Sequence, residues 1–122
     1  MNNSVTPERI INILKTQRFV FKDEKDLQFQ ISTTLTNLEI NHGREFEFIP
    51  GCGDIIDFMI PDYIGMEIKI KGGKTDIYKQ IRRYCKHSTI LHLILVTTRN
   101  MQLPKDIEGC KCYVVNLNQA WL

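Results

Sequence analysis

The sequence lacks any hydrophobic run approaching the roughly 20 residues that a helix needs to cross a bilayer, which excludes a helical membrane span. The polar start Met1-Asn2-Asn3-Ser4 is followed by no apolar segment of the kind that directs secretion, so a reducing, cytoplasmic setting is expected. A large excess of charge of one sign is missing too. Sixteen Lys and Arg face 14 Asp and Glu for a net charge of +2, and that global balance does not mark a nucleic-acid binder. No internal repeat, low-complexity tract or linker interrupts the chain, which excludes a repeat array over these residues and leads to the expectation of a single domain. The four cysteines (Cys52, Cys85, Cys110 and Cys112) include no pair at zinc-knuckle spacing. Cys110-Lys111-Cys112 is one residue short, and no second Cys or His pair supplies the other half, so free thiols are expected and a structural zinc site is not. Aromatic residues are spread through core positions and give no stacking platform for bases.

What is present fits one domain spanning 1–122, with 1–22 as an N-terminal helical extension. The chain has 122 residues, 43% hydrophobic and 25% charged, enough for a modest core and not for insertions or an extra recognition domain. Anything large must be gripped by that minimal core, by a second copy or by a partner.

Thr6-Pro7-Glu8 reads as a helix start, with Thr as cap, Pro in the first position and an acid in the first turn. Ile10, Ile11, Ile13 and Leu14 give that helix its apolar side. Asp23 caps a second helix in which Leu27, Ile31, Leu35 and Leu38 recur at helical spacing, ending by Asn41-His42-Gly43. The period then drops to two. Phe46 and Phe48 alternate with Glu45 and Glu47, Pro50-Gly51-Cys52-Gly53 makes a turn, and strands are expected over 54–60 and 64–71 around Pro61-Asp62-Tyr63. A helix over 75–87, a nearly continuous apolar strand over 89–97, a loop over 98–110 and a short strand at Tyr113-Val114-Val115 complete the chain. The order predicts an α/β fold, a mixed sheet flanked by helices. Trp121 is expected to pack or anchor the C-terminus.

The segment Gly53 to Lys69 carries the chemistry. If its connection centres on Asp62, Asp57 lies directly opposite Glu67 in an antiparallel pair, and partners so placed point to the same face. Lys69, two residues on, joins them, while Met66, Ile68 and Ile70 turn to the core. Two carboxylates and an amine would then share a sheet face open to solvent. Like charges that close repel unless a cation lies between them. Hard oxygen donors suit Mg2+ or Mn2+, and such an ion polarises a phosphoryl oxygen and acidifies water. Asp54 is a rival for the Asp57 role, but it would put the turn near Ile60-Pro61, with poorer turn chemistry.

At these residues the sequence resembles the PD-(D/E)XK nuclease superfamily. Glu67-Ile68-Lys69 matches the (D/E)XK half and Asp57 the upstream Asp, although no Pro precedes it. Gln80-Ile81-Arg82-Arg83-Tyr84 matches the QxxxY motif of RecB-type and lambda-exonuclease-like members, and Glu24 stands near an acid that many members carry on the first core helix. The likeness covers residues 23–98 and implies a restriction-endonuclease-like core of αβββαβ order. It implies hydrolysis of DNA to a 5′-phosphate product, with Asp57, Glu67 and the Ile68 carbonyl on Mg2+ or Mn2+ and Lys69 as the catalytic lysine. Gln80, Tyr84 and Glu24 would support them. Lys71, Lys74, Arg82 and Arg83 are natural phosphate contacts. Cutting a duplex on both strands would need two sites, hence a homodimer. Stand-alone nucleases this small resemble phage or mobile-element proteins and junction resolvases.

Blander readings compete. An Asp on one strand and Glu-x-Lys on the next arise cheaply by chance and can be a surface ion pair. Gln80 alone would be an exposed helix residue, Tyr84 a core aromatic and each basic residue a solvated surface group. The joint pattern outweighs them. The rivals are a nucleic-acid-binding or accessory module that keeps the fold without cleaving, and a small partner-binding α/β protein.

Overall fold

The computed structural model describes residues 5–117. Its elements run α1 (Pro7–Thr16), α2 (Glu24–Asn37), β1 (Gly43–Glu47), β2 (Ile55–Ile60), β3 (Ile64–Lys69), α3 (Lys74–Cys85), β4 (His92–Thr97), β5 (Asp106–Ile107) and β6 (Cys110–Asn116). Six strands form one mixed sheet in the order β1-β2-β3-β4-β6-β5. The β1-β2-β3 meander is antiparallel, β3, β4 and β6 are parallel, and β5 returns antiparallel along β6.

The helix caps follow from local chemistry. The Thr6 side chain accepts from the Arg9 N–H, with Pro7 at the start of α1, and the Asp23 carboxylate accepts from the Asp26 N–H at 2.8 Å. Helices α1 and α2 cover one face, where Ile10, Leu14, Leu27, Ile31 and Leu35 pack on Phe58, Ile60, Met66, Ile68 and Val96. Helix α3 covers the other, where Ile77, Ile81 and Tyr84 pack on Ile56, Leu93 and Leu95. Strands β3 and β4 are therefore covered on both faces, and β4 reads as a nearly continuous apolar run. Gly72, at φ +99°, makes the left-handed turn that swings the chain from β3 towards α3.

Several boundaries differ from expectation. Helix α2 stops at Asn37, so Leu38 is half-exposed and Ile40 takes the buried place beyond it. Strand β3 ends at Lys69, β4 starts at His92, and the expected loop before the last strand holds the short β5, which pairs with a β6 longer than its apolar core. Trp121 lies outside the described residues.

Candidate active site

Within β3 one charged residue is buried. Glu67 is 2% exposed, and a charge so buried must be paired or neutralised. The local geometry explains how. Strands β2 and β3 pair Ile60 with Ile64, Met59 with Gly65 and Phe58 with Met66, the register that puts Asp57 across from Glu67, and the paired ladder stops there. Beyond it the side chains take over the backbone donors. The Asp57 N–H donates to Glu67 Oε1 at 3.0 Å, and the Ile68 N–H donates to Asp57 Oδ2 at 2.8 Å. Ile56 and Phe58, two apart on β2, belong to opposite core faces, so the strand rotates at Asp57. The crossed carboxylates fill the wedge that this opens.

Lys69 Nζ stands 3.6 Å from Glu67 Oε2 and is one-quarter exposed. Glu24, the first residue of α2, reaches the same strand end, where its Oε1 accepts the Ile70 N–H at 2.9 Å. From the other face Gln80 Nε2 donates to the Tyr84 hydroxyl at 2.8 Å, and that hydroxyl donates to the Ile55 carbonyl at 2.9 Å. Tyr84 is buried and stays on the protein side of the wedge. Burial and then the nearby charge of Glu67 push its phenol up to about 12. It thus props the start of β2 next to Asp57.

The electrostatics are those of a pair short of positive charge. Desolvation, followed by the charge of Asp57, raises Glu67 to about 8. Desolvation also raises Asp57, against the pull of the Ile68 N–H and Lys69. Such a pair holds a proton or a cation between its members. Its all-oxygen donors fit a hard divalent ion in chemistry. The face is less open than the sequence suggests. Glu67 lies beneath the strand end, and access is on the side of the half-buried Asp57 and Lys69.

Two depressions flank Lys69. One, about 470 Å³, is lined by Asp23, Glu24, Lys69 and Lys71; the other, about 300 Å³, by Lys69, Lys71, Gln80 and Arg83. Of the expected phosphate contacts, Lys71 and Arg83 thus border the site. Lys74 lines a separate depression with Tyr78 and Asn100, and Arg82 is turned to Glu108 at 3.4 Å on the β5–β6 side. Asp54 is not at the wedge. It is held by His87 at 2.8 Å and Arg83 at 2.6 Å, which in that order keep its carboxyl below the usual carboxylate value. Of the two aspartates, Asp57 is the one that stands across from Glu67.

The histidines have structural partners: His42 with Ser32 and the Ile40 carbonyl, His87 with Asp54 and stacked on Phe48, and His92 with Tyr113. Two further donor groups come together away from the wedge, Cys52 with Asp54 and His87, and Cys85 with Cys110 and Cys112. The cysteines are free thiols, as the sequence leads one to expect. Beside Cys110 and Cys112 stands Cys85, 25 positions upstream of Cys110, at the end of α3, which no local spacing could reveal.

The chain matches no known family model, no curated protein and no solved structure.

Proposed function

We propose that the chain is a divalent-metal-dependent deoxyribonuclease of the PD-(D/E)XK type, hydrolysing phosphodiester bonds to leave a 5′-phosphate. The observation that carries this reading is the crossed carboxylate pair of Asp57 and Glu67, with Lys69 Nζ 3.6 Å from Glu67 at the end of a central strand. The element order from α2 to β4 agrees with the αβββαβ order of a restriction-endonuclease-like core. The ends of parallel strands in an open α/β sheet are also where ligands are usually bound.

Asp57, Glu67 and the Ile68 carbonyl would hold Mg2+ or Mn2+. The cation would supply Lewis acidity towards a phosphoryl oxygen and a more acidic bound water. Lys69 offsets the negative charge that builds on the phosphate and orients the attacking water. Glu24 fixes the backbone just beyond Lys69 through the Ile70 N–H, and Gln80 holds Tyr84 under the start of β2. Lys71 and Arg83 contact the DNA backbone beside the cut. Cleavage of both strands of a duplex would use a homodimer.

The test is incubation of the chain with plasmid, single-stranded and branched DNA, with and without Mg2+ or Mn2+, beside Glu67→Ala. Metal-dependent cleavage that Glu67→Ala abolishes is expected. The near-complete burial of Glu67 favours a second reading, a module that binds nucleic acid without cutting it. Binding by the folded chain with no cleavage in any arm selects that reading, and neither binding nor cleavage rejects both.

A further inference from the structure

Cys85 closes α3, and Cys110 and Cys112 lie one residue apart on β6, so strand alternation turns both towards that helix. All three are buried, and their sulfurs lie within 4.8 Å of one another, with Cys85 Sγ and Cys112 Sγ 3.6 Å apart. None is in a disulfide. We infer that Cys85, Cys110 and Cys112 form a binding site for a soft, thiophilic metal ion, zinc before others, that ties the end of α3 to β6.

The spacing is that of ligands converging on one ion. Thiolates about 2.3 Å from a tetrahedral zinc stand about 3.8 Å from each other, within the range these sulfurs occupy. Thiolate donors select Zn2+ or Cu+ over Mg2+ and Mn2+, so this site and the carboxylate wedge would not compete for the same ion. Binding releases the thiol protons to solvent, and water completes the shell. The other mixed cluster is weaker: Cys52 is exposed, and Asp54 already serves Arg83 and His87.

The position gives the ion a task. Cys85 directly follows Tyr84, one helical turn from Gln80, whereas β5 on the far side of β6 is an edge strand of two residues. An ion on these sulfurs fastens the end of α3 to the sheet and thereby steadies Tyr84 against β2. This holds whether or not the chain cleaves DNA.

The experiment uses the full chain, reduced and stripped of metal by a chelator. It is loaded with Zn2+ in excess Mg2+, which occupies the carboxylate pair, and then desalted. One retained zinc per chain is expected, with X-ray absorption at the zinc edge showing three sulfurs at about 2.3 Å. Failure to retain zinc, or a shell with fewer than three sulfurs, overturns the proposal. A shell with one sulfur would place the ion at Cys52, Asp54 and His87, and one with none at the carboxylates. Cys85→Ser should abolish the three-sulfur shell; its survival in that variant is equally fatal. Because the first readout uses the unmodified chain, poor folding of Cys85→Ser leaves the test intact.

Discussion

A carboxylate buried beside a second carboxylate stays neutral or is held by a cation, and the choice leaves a mark on stability. Glu67 ordinarily titrates near 4.5 and in the fold near 8, through desolvation first and Asp57 second. Between those values the native chain binds more protons than the unfolded one, so stability falls as pH rises. The contribution of Glu67 is fully present below its unfolded value and lost as pH passes about 8. In chelator the melting temperature should therefore drop between pH 5 and pH 9. Added Mg2+ or Mn2+ should remove most of that drop by taking the proton's place, and Glu67→Gln should flatten it without metal. A wild-type profile insensitive to metal would mean that no ion enters the wedge. Lys69 separates the same way into charge and packing. Its amine is one-quarter exposed and 3.6 Å from Glu67. Below about pH 8, where Glu67 keeps its proton, Lys69→Ala breaks no buried ion pair and should change stability by no more than about 1 kcal/mol. Loss of a group that stabilises transition-state charge should lower cleavage by about 100-fold or more. Comparing melting curves with single-turnover rates checks both halves.

At the scale of elements, the site is set by where helices and strands begin and end. Glu24 can reach the Ile70 N–H because α2 starts there, and α2 starts there because the Asp23 carboxylate takes the Asp26 N–H. Asp23→Ala should cost about 1 kcal/mol through the lost cap. It should also slow cleavage more than its stability loss explains, since the end of β3 loses its anchor. Rates measured well below the melting temperature decide this, and an unchanged rate would show that Glu24 does not position the strand end. These features differ in how plainly the sequence displays them. Cap residues, the period-two meander and the Asp57–Glu67 register are local patterns, legible from spacing alone. Three features depend on contacts distant in sequence and were not legible. The rotation of β2 at Asp57 follows from packing Ile56 and Phe58 on opposite faces. The pairing of Asp54 with Arg83 and His87 joins the residue before β2 to the end of α3 and the turn beyond it, 29 and 33 positions later. The approach of Cys85 to Cys112 spans 27 positions. The short β5 was hidden too, since two residues are too few to show a period.

For the whole molecule, the question is how a chain of net charge +2 could grip a polyanion. A nearly neutral molecule has little long-range field, so affinity must come from a few cations placed against phosphates. The stretch from Lys69 to Lys86 is rich in basic residues, but folding divides them. Lys71 and Arg83 border the depressions beside Lys69, whereas Lys74 opens onto a different depression and Arg82 faces Glu108. Each phosphate contact contributes a slope of about 0.9 to the fall of log affinity with log salt on duplex DNA. Lys71→Ala and Arg83→Ala should each flatten that slope by about 1 and weaken binding alike across sequences. Lys74→Ala and Arg82→Ala should leave it unchanged. Because Arg83 also holds Asp54 at 2.6 Å, Arg83→Lys separates the two roles by keeping the charge and losing the planar fork. If the salt slope survives in Arg83→Lys while Arg83→Ala flattens it, Arg83 acts on the backbone as a charge. Equal slopes for all four alanine variants would mean that DNA lies across another face of the sheet, and the carboxylate wedge would then be remote from any phosphate.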